Sequence, residues 1–163
     1  MKRWVVPMFV VALMGLVVFA LSHNQTRPTP SFLLTDLNGQ TVSEQSLQGK
    51  VTLINFWYPS CVGCVVEMPK LIETQAKFAD SAYQTLAISL PYNTEAEVRA
   101  YVAQYRLPFI VAIDKSGEVG KTYQVQVAPN SFLVNQQGQI IQTYIGELDW
   151  QALHALIEKQ LHP

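Results

Sequence analysis

The chain has 163 residues, enough for one domain with a terminal extension. Eleven Lys and Arg against twelve Asp and Glu give a formal charge of −1, and past residue 23 nine basic residues face twelve acidic ones, a net of −3. That balance argues against nucleic acid as a partner, and there is no repeat, charge run or low-complexity tract.

In chain order, Lys2-Arg3 precede an uncharged apolar run from Trp4 to Leu21. Positive residues ahead of such a run direct export with the N-terminus inside. The run is close to the shortest stretch, about 17 residues, that spans a bilayer. Residues 1–22 therefore read as a retained membrane anchor. Ala20-Leu21-Ser22 also leaves a signal-peptide cleavage open. The stretch 23–30, with Thr26, Pro28 and Pro30, reads as a linker, and 31–163 as one globular unit.

Within that unit, strand and helix signals alternate. Phe32-Leu33-Leu34 is an early strand, and Asn38-Gly39 turns it toward Thr41-Val42. Val51–Trp57 is an apolar, β-rich run, expected as a buried central strand. From Val65 the apolar positions Met68, Leu71, Ile72 and Phe78 recur with helical spacing, so a helix is expected over Cys61–Ala79. Thr85–Leu90 is the next strand. Thr94-Glu95-Ala96-Glu97 is a capping box opening a helix to about Tyr105. Phe109–Ile113 is a further strand. Ser131–Val134 and Ile140–Ile145 flank Asn135-Gln136-Gln137-Gly138 as a hairpin, and Asp149 caps a helix carrying Leu153, Leu156, Ile157 and Leu161. This order implies an α/β fold with a mixed sheet and helices on both faces.

The chemistry sits between the central strand and its helix. Cys61 and Cys64 are the only cysteines. A C-x-x-C at a helix start places thiols where free backbone N–H groups and the macrodipole favour thiolate. Cys61, first and more exposed, is the expected nucleophile; Cys64, one turn on, can close a disulfide onto it. A zinc site would need about four ligands, and neither a second cysteine pair nor a suitably spaced histidine is available. A structural disulfide over so short a loop would constrain the unfolded chain little. Glu67 lies at i+3 from Cys64 and can face the buried thiol. A partly buried carboxyl there has a raised pKa and can pass protons near neutrality.

With Asn55-Phe56-Trp57 before the C-x-x-C, Glu67-Met68-Pro69 after it, and Tyr123–Val134 containing Ala128-Pro129, residues 31–162 resemble the thioredoxin superfamily. Within it they are similar to the exported TlpA/ResA-type disulfide reductases. The resemblance implies a thioredoxin-like fold with an extra α-β unit between Leu90 and Ile113. It implies a cis peptide bond before Pro129, an Ala128 backbone free to pair with substrate, Trp57 beside the site, and Glu67 tuning the cysteines. Thioredoxins proper place a buried acid where this chain has Asn55, which leaves Glu67 as the acid nearest in sequence. Pro69 should kink the helix. The implied role is reduction of disulfides in exported proteins, apocytochrome c or copper-site assembly proteins, recharged by a membrane thiol transporter at the bacterial inner membrane, with no cofactor or metal.

Ser60 stands where the family most often has tryptophan, and Val62-Gly63 replaces a proline-containing pair, so the direction of electron flow is less fixed than the fold. One rival is a peroxiredoxin-like thiol peroxidase, which wants a Thr-x-x-Cys pocket and a close arginine. Here position 58 is tyrosine and the next arginine is Arg99. Another is a copper chaperone, for which Met68 is the only nearby extra ligand.

Overall fold

The structure, a computed structural model, describes residues 26–162. The expected anchor over 1–22 lies outside the described residues, and no helix among those described is long and apolar enough to cross a membrane. Strands β1 (Arg27–Pro28), β2 (Leu33–Thr35) and β3 (Thr41–Ser43) come first, then β4 (Val51–Trp57), helix α1 (Val62–Lys77) and β5 (Tyr83–Ser89). Helix α2 (Glu95–Tyr105), β6 (Ile110–Ile113), α3 (Glu118–Thr122), β7 (Asn130–Val134), β8 (Gln139–Ile145) and α4 (Trp150–Leu161) complete the domain.

The main sheet runs β1-β8-β7-β4-β5-β6. Strands β4, β5 and β6 are parallel, whereas β7 and β8 run antiparallel, so the sheet is mixed as expected. Its centre is β4, buried at all seven positions. A strand paired on both sides and covered on both faces reads as a continuous apolar run, which is why Val51–Trp57 carries no polar alternation.

The pleat divides the core in two. Leu53 and Trp57 face α1, α2 and α4 with Met68, Leu71, Val98, Leu153 and Ile157. Ile54 and Phe56 point to the opposite face and meet Leu86, Ile88, Phe132, Val119 and Tyr123. There Phe56, Tyr123 and Phe132 form a three-ring cluster with centroids 5.2–5.8 Å apart. The α-β unit between Leu90 and Ile113 is α2-β6, which adds a parallel strand beyond β5.

Several local signals act as read. Thr94 and Glu97 form the reciprocal capping box, with Thr94 N donating to Glu97 Oε2 at 2.7 Å and Glu97 N to Thr94 Oγ1 at 3.3 Å. Asp149 Oδ1 accepts from Ala152 N at 3.0 Å and starts α4. Pro69 sits inside α1, where its missing N–H leaves the Val65 carbonyl without its helical donor.

Three features differ from the sequence reading. The stretch read as a linker, 23–30, contributes β1, whose Arg27 and Pro28 pair with Ile140 and Gln139 of β8. A two-residue edge strand containing proline carries no alternation to reveal it. Helix α3 has no counterpart in that reading, being a single short turn started by Gly117 at φ +74°. The early strand starts one residue later, because Phe32 turns into the core instead.

Candidate active site

Strand β4 ends at Trp57, and the chain turns through Tyr58-Pro59-Ser60 to deliver Cys61 as the N-cap of α1. Cys61 and Cys64 are joined as a disulfide, with Cα atoms 5.2 Å apart. Cys61 Sγ accepts the Cys64 N–H at 3.1 Å, taking the place that a serine or aspartate oxygen holds at an ordinary N-cap. That donor and the helix dipole favour negative charge on Cys61 once the disulfide opens. Cys61 is 7% exposed and Cys64 fully buried, so only the first sulfur is open to attack.

The Ala128–Pro129 peptide is cis, as the resemblance implied. It turns the loop ahead of β7 so that the Ala128 carbonyl oxygen lies 3.7 Å from Cys61 Sγ. Gly63 is packed against the same proline: a Cβ there would sit 3.3 Å from Pro129 Cδ. Of the two residues between the cysteines, Gly63 is the one the cis-proline loop approaches, whereas Val62 is exposed. Gly146 N donates to the Pro129 carbonyl at 2.9 Å and anchors the loop to the end of β8.

Glu67 is 4% exposed on the buried face of α1, one turn beyond Cys64. Asn55 of β4 donates through Nδ2 to Glu67 Oε1 at 2.7 Å and to Ser131 Oγ of β7 at 2.9 Å. Glu67 Oε2 is buried and has no partner among the described residues. Burial is the main cause that pushes the Glu67 carboxyl up to about 7; the Asn55 hydrogen bond pulls the other way and the Glu147 charge adds a smaller push. Glu67 lines a groove of about 500 Å³ with Gly63, Val66, Pro129, Glu147 and Trp150.

Trp57, expected to contact substrate, is fully buried; its ring packs 5.1 Å from that of Tyr101 and shares the core with Cys64. It backs the disulfide from inside, because β4 is covered on both faces. Ser60, in place of the family's tryptophan, donates from N and Oγ to Asn93 Oδ1 at 3.2 and 2.8 Å. Ser131 and Glu147 are two neighbours of Glu67 that sequence reasoning does not single out. Ser131 lies 76 positions from Asn55, and only the β4–β7 register makes them neighbours.

A helix-capping disulfide with one accessible sulfur, set beside a cis-proline loop on this sheet, defines a thioredoxin-fold thiol–disulfide oxidoreductase. The chain belongs to the redoxin family, whose model matches residues 24–160. It is 36% identical over 133 residues to the thiol-disulfide oxidoreductase ResA of Bacillus thuringiensis, covering 82% of this chain and 76% of that one. A thioredoxin-type protein of Neisseria meningitidis superposes with a TM-score of 0.76 at 47% identity, covering 81% of this chain and 88% of that one. A DsbE-type thiol:disulfide interchange protein of Chlorobium tepidum gives a TM-score of 0.78 at 28% identity, covering 85% and 98%.

Proposed function

We propose that this protein is a membrane-anchored reductant of disulfides in exported proteins, working on the outer face of a bacterial inner membrane. The observation that carries the reading is a buried carboxyl, Glu67, one turn beyond a buried Cys64, with burial raising its pKa toward neutrality. A reductant must deprotonate its second thiol once the first is committed, and Glu67 serves that step; the reverse exchange would return the same proton to Cys64, so the reduction potential of the pair decides the direction.

In the reduced enzyme the Cys61 thiolate attacks one sulfur of the target disulfide. The target S–S bond breaks, a Cys61–target disulfide forms, and the displaced target sulfur takes up a proton. Glu67 then accepts the Cys64 proton, and the Cys64 thiolate attacks Cys61 Sγ. The mixed disulfide breaks, and the second target sulfur leaves and is protonated. Two electrons pass from the enzyme cysteines to the target; the first displaced target sulfur takes its proton from solvent and the second takes the Cys64 proton by way of Glu67, leaving the Cys61–Cys64 disulfide and the Glu67 carboxylate. The Ala128 backbone pairs with the extended target segment during the exchange. The spent disulfide is recharged by a membrane thiol transporter, and the target class is apocytochrome c or copper-site assembly proteins. ResA relatives support the exchange chemistry.

The thiol peroxidase reading has less support. Arg99 is engaged by Glu95 at 2.8 Å and by the Leu37 carbonyl at 3.0 Å, and Tyr58 holds the position at which that chemistry uses threonine. Copper binding by the thiol pair would draw on Met68, which is 1% exposed within the core.

The test is a trapping experiment. Reduced Cys64→Ser protein should accumulate a mixed disulfide with a reducible target, and reduced Cys61→Ser protein should not. Trapping by the Cys61→Ser variant alone would reverse the assigned roles. A potential of the wild-type pair near −120 mV, in place of one near the thioredoxin value of about −270 mV, would overturn the reductant reading.

A further inference from the structure

Ala128 also borders a second groove, of about 470 Å³, lined by Tyr58, Pro91, Tyr92, Val125 and Val127 among others. Its construction starts at Ser60, whose two bonds to Asn93 fasten the loop after β5 to the corner before Cys61. That loop carries Tyr92, 68% exposed, with its ring 4.8 Å from Tyr58. Gly120 packs closely there: a Cβ on it would come within 2.9 Å of Leu90 Cδ2, so a larger residue would have to displace the leucine side chain. Lys121, the charged residue at the rim, is paired to Glu118 at 2.7 Å. Val127 is exposed on the groove, and Ala128, which borders it, has its carbonyl 3.7 Å from Cys61 Sγ, the one sulfur open to attack.

We infer that the Tyr58–Tyr92 groove is a specificity subsite that takes an apolar or aromatic side chain of the target polypeptide, close in sequence to the cysteine under attack. The occupant is the target, because the disulfide exchange brings it to Cys61, and Ala128 borders both that sulfur and the groove. Its chemistry follows from the apolar part of the walls, two aromatic rings, a proline and two valines; Ser116, Gln126 and Lys121 form the polar remainder. The aromatic surface that a tryptophan at position 60 would supply from the cysteine loop is supplied here from the β5–α2 loop, held by the serine that replaces it. The inference rests on the reductase reading and narrows it to the sequence around the target cysteine.

The experiment uses the full-length reduced protein and two synthetic disulfide-bonded peptides that differ only in having Phe or Ser beside one cysteine. Wild type should reduce the Phe peptide with a kcat/KM about tenfold or more above that for the Ser peptide, the discrimination an apolar pocket gives for a side chain of this size. Tyr92→Ala should bring that ratio close to one, and Tyr92→Phe should keep it. Tyr105→Ala removes an exposed tyrosine of α2 outside the groove and should keep the ratio too. Equal rates for both peptides with wild type would overturn the subsite and leave the reductase reading standing. Reduction of neither peptide would overturn both. A ratio unaltered in Tyr92→Ala would place the discrimination elsewhere and refute the assignment.

Discussion

Replacing Glu67 with glutamine should raise stability at alkaline pH relative to its effect at acid pH. Glu67 is held at about 7 by burial against an ordinary value of 4.5. Below the unfolded value the carboxyl is protonated in both states and costs nothing. As the pH rises through the interval, the unfolded chain releases the proton while the folded one retains it, so stability falls. Above the folded value the loss is complete. At about 1.4 kcal/mol per pH unit, the interval corresponds to a loss of about 3 kcal/mol. The glutamine side chain would keep the volume and an oxygen for the Asn55 amide, which now donates at 2.7 Å, but cannot ionise. Its amide nitrogen would occupy the place of the unpartnered Oε2 and add a cost that does not vary with pH. The difference between variant and wild type should therefore grow by about 3 kcal/mol between about pH 4 and about pH 8.5. Urea denaturation of the oxidised proteins across that range measures it. With slopes of about 1–3 kcal/mol per molar urea, the midpoints should diverge by roughly 1–3 M. A difference that stays constant with pH would show that Glu67 does not titrate near neutrality. It would also remove the basis for giving it the Cys64 proton.

Two further outcomes rest on the same geometry. Asn55→Ala removes the one hydrogen bond that lowers the Glu67 pKa, so the pH dependence of target reduction attributable to Glu67 should move to higher pH. That variant should also lose about 1–3 kcal/mol of stability, since it strips a buried carboxyl of its donor; stopped-flow pH profiles and denaturation measure the two effects. Asp149→Ala, which removes the N-cap of α4, should cost about 1 kcal/mol without altering the pH profile, a separation the same two assays resolve.

Local chemistry is legible in the sequence wherever it is short-ranged. The seven residues of β4 are identified by a mostly apolar, β-rich run, and the start of α2 by a capping box four residues long. Cys61, Cys64 and Glu67 lie on one helix, so their spacing alone brings them to one end and one face of it. The cis bond before Pro129 is readable from the family resemblance and not from propensity. What stays hidden depends on pairings distant in the chain. Asn55 reaches Ser131 only through the antiparallel register of β4 and β7. Tyr58 and Tyr92 look like unrelated surface aromatics until the Ser60–Asn93 contact joins their loops. Trp57 adjoins the cysteine loop, and that adjacency suggests a place at the surface of the site. The inward face of β4 decides otherwise, since a strand alternates sides whatever its neighbours do.

The segment leading into the domain bears on how the protein handles partly unfolded clients. Arg27 and Pro28 lie along the free side of β8, where the proline offers no N–H for another strand. A few residues later the same segment has crossed to the opposite border, where Asp36 bridges Ala112 and Leu37 N donates to the Val111 carbonyl at 2.9 Å. One stretch of chain thus blunts both borders of the sheet against adventitious strand addition. Under the proposed function, a target in extended conformation would find fewer open backbone groups along these rims than at the cis-proline loop beside Cys61.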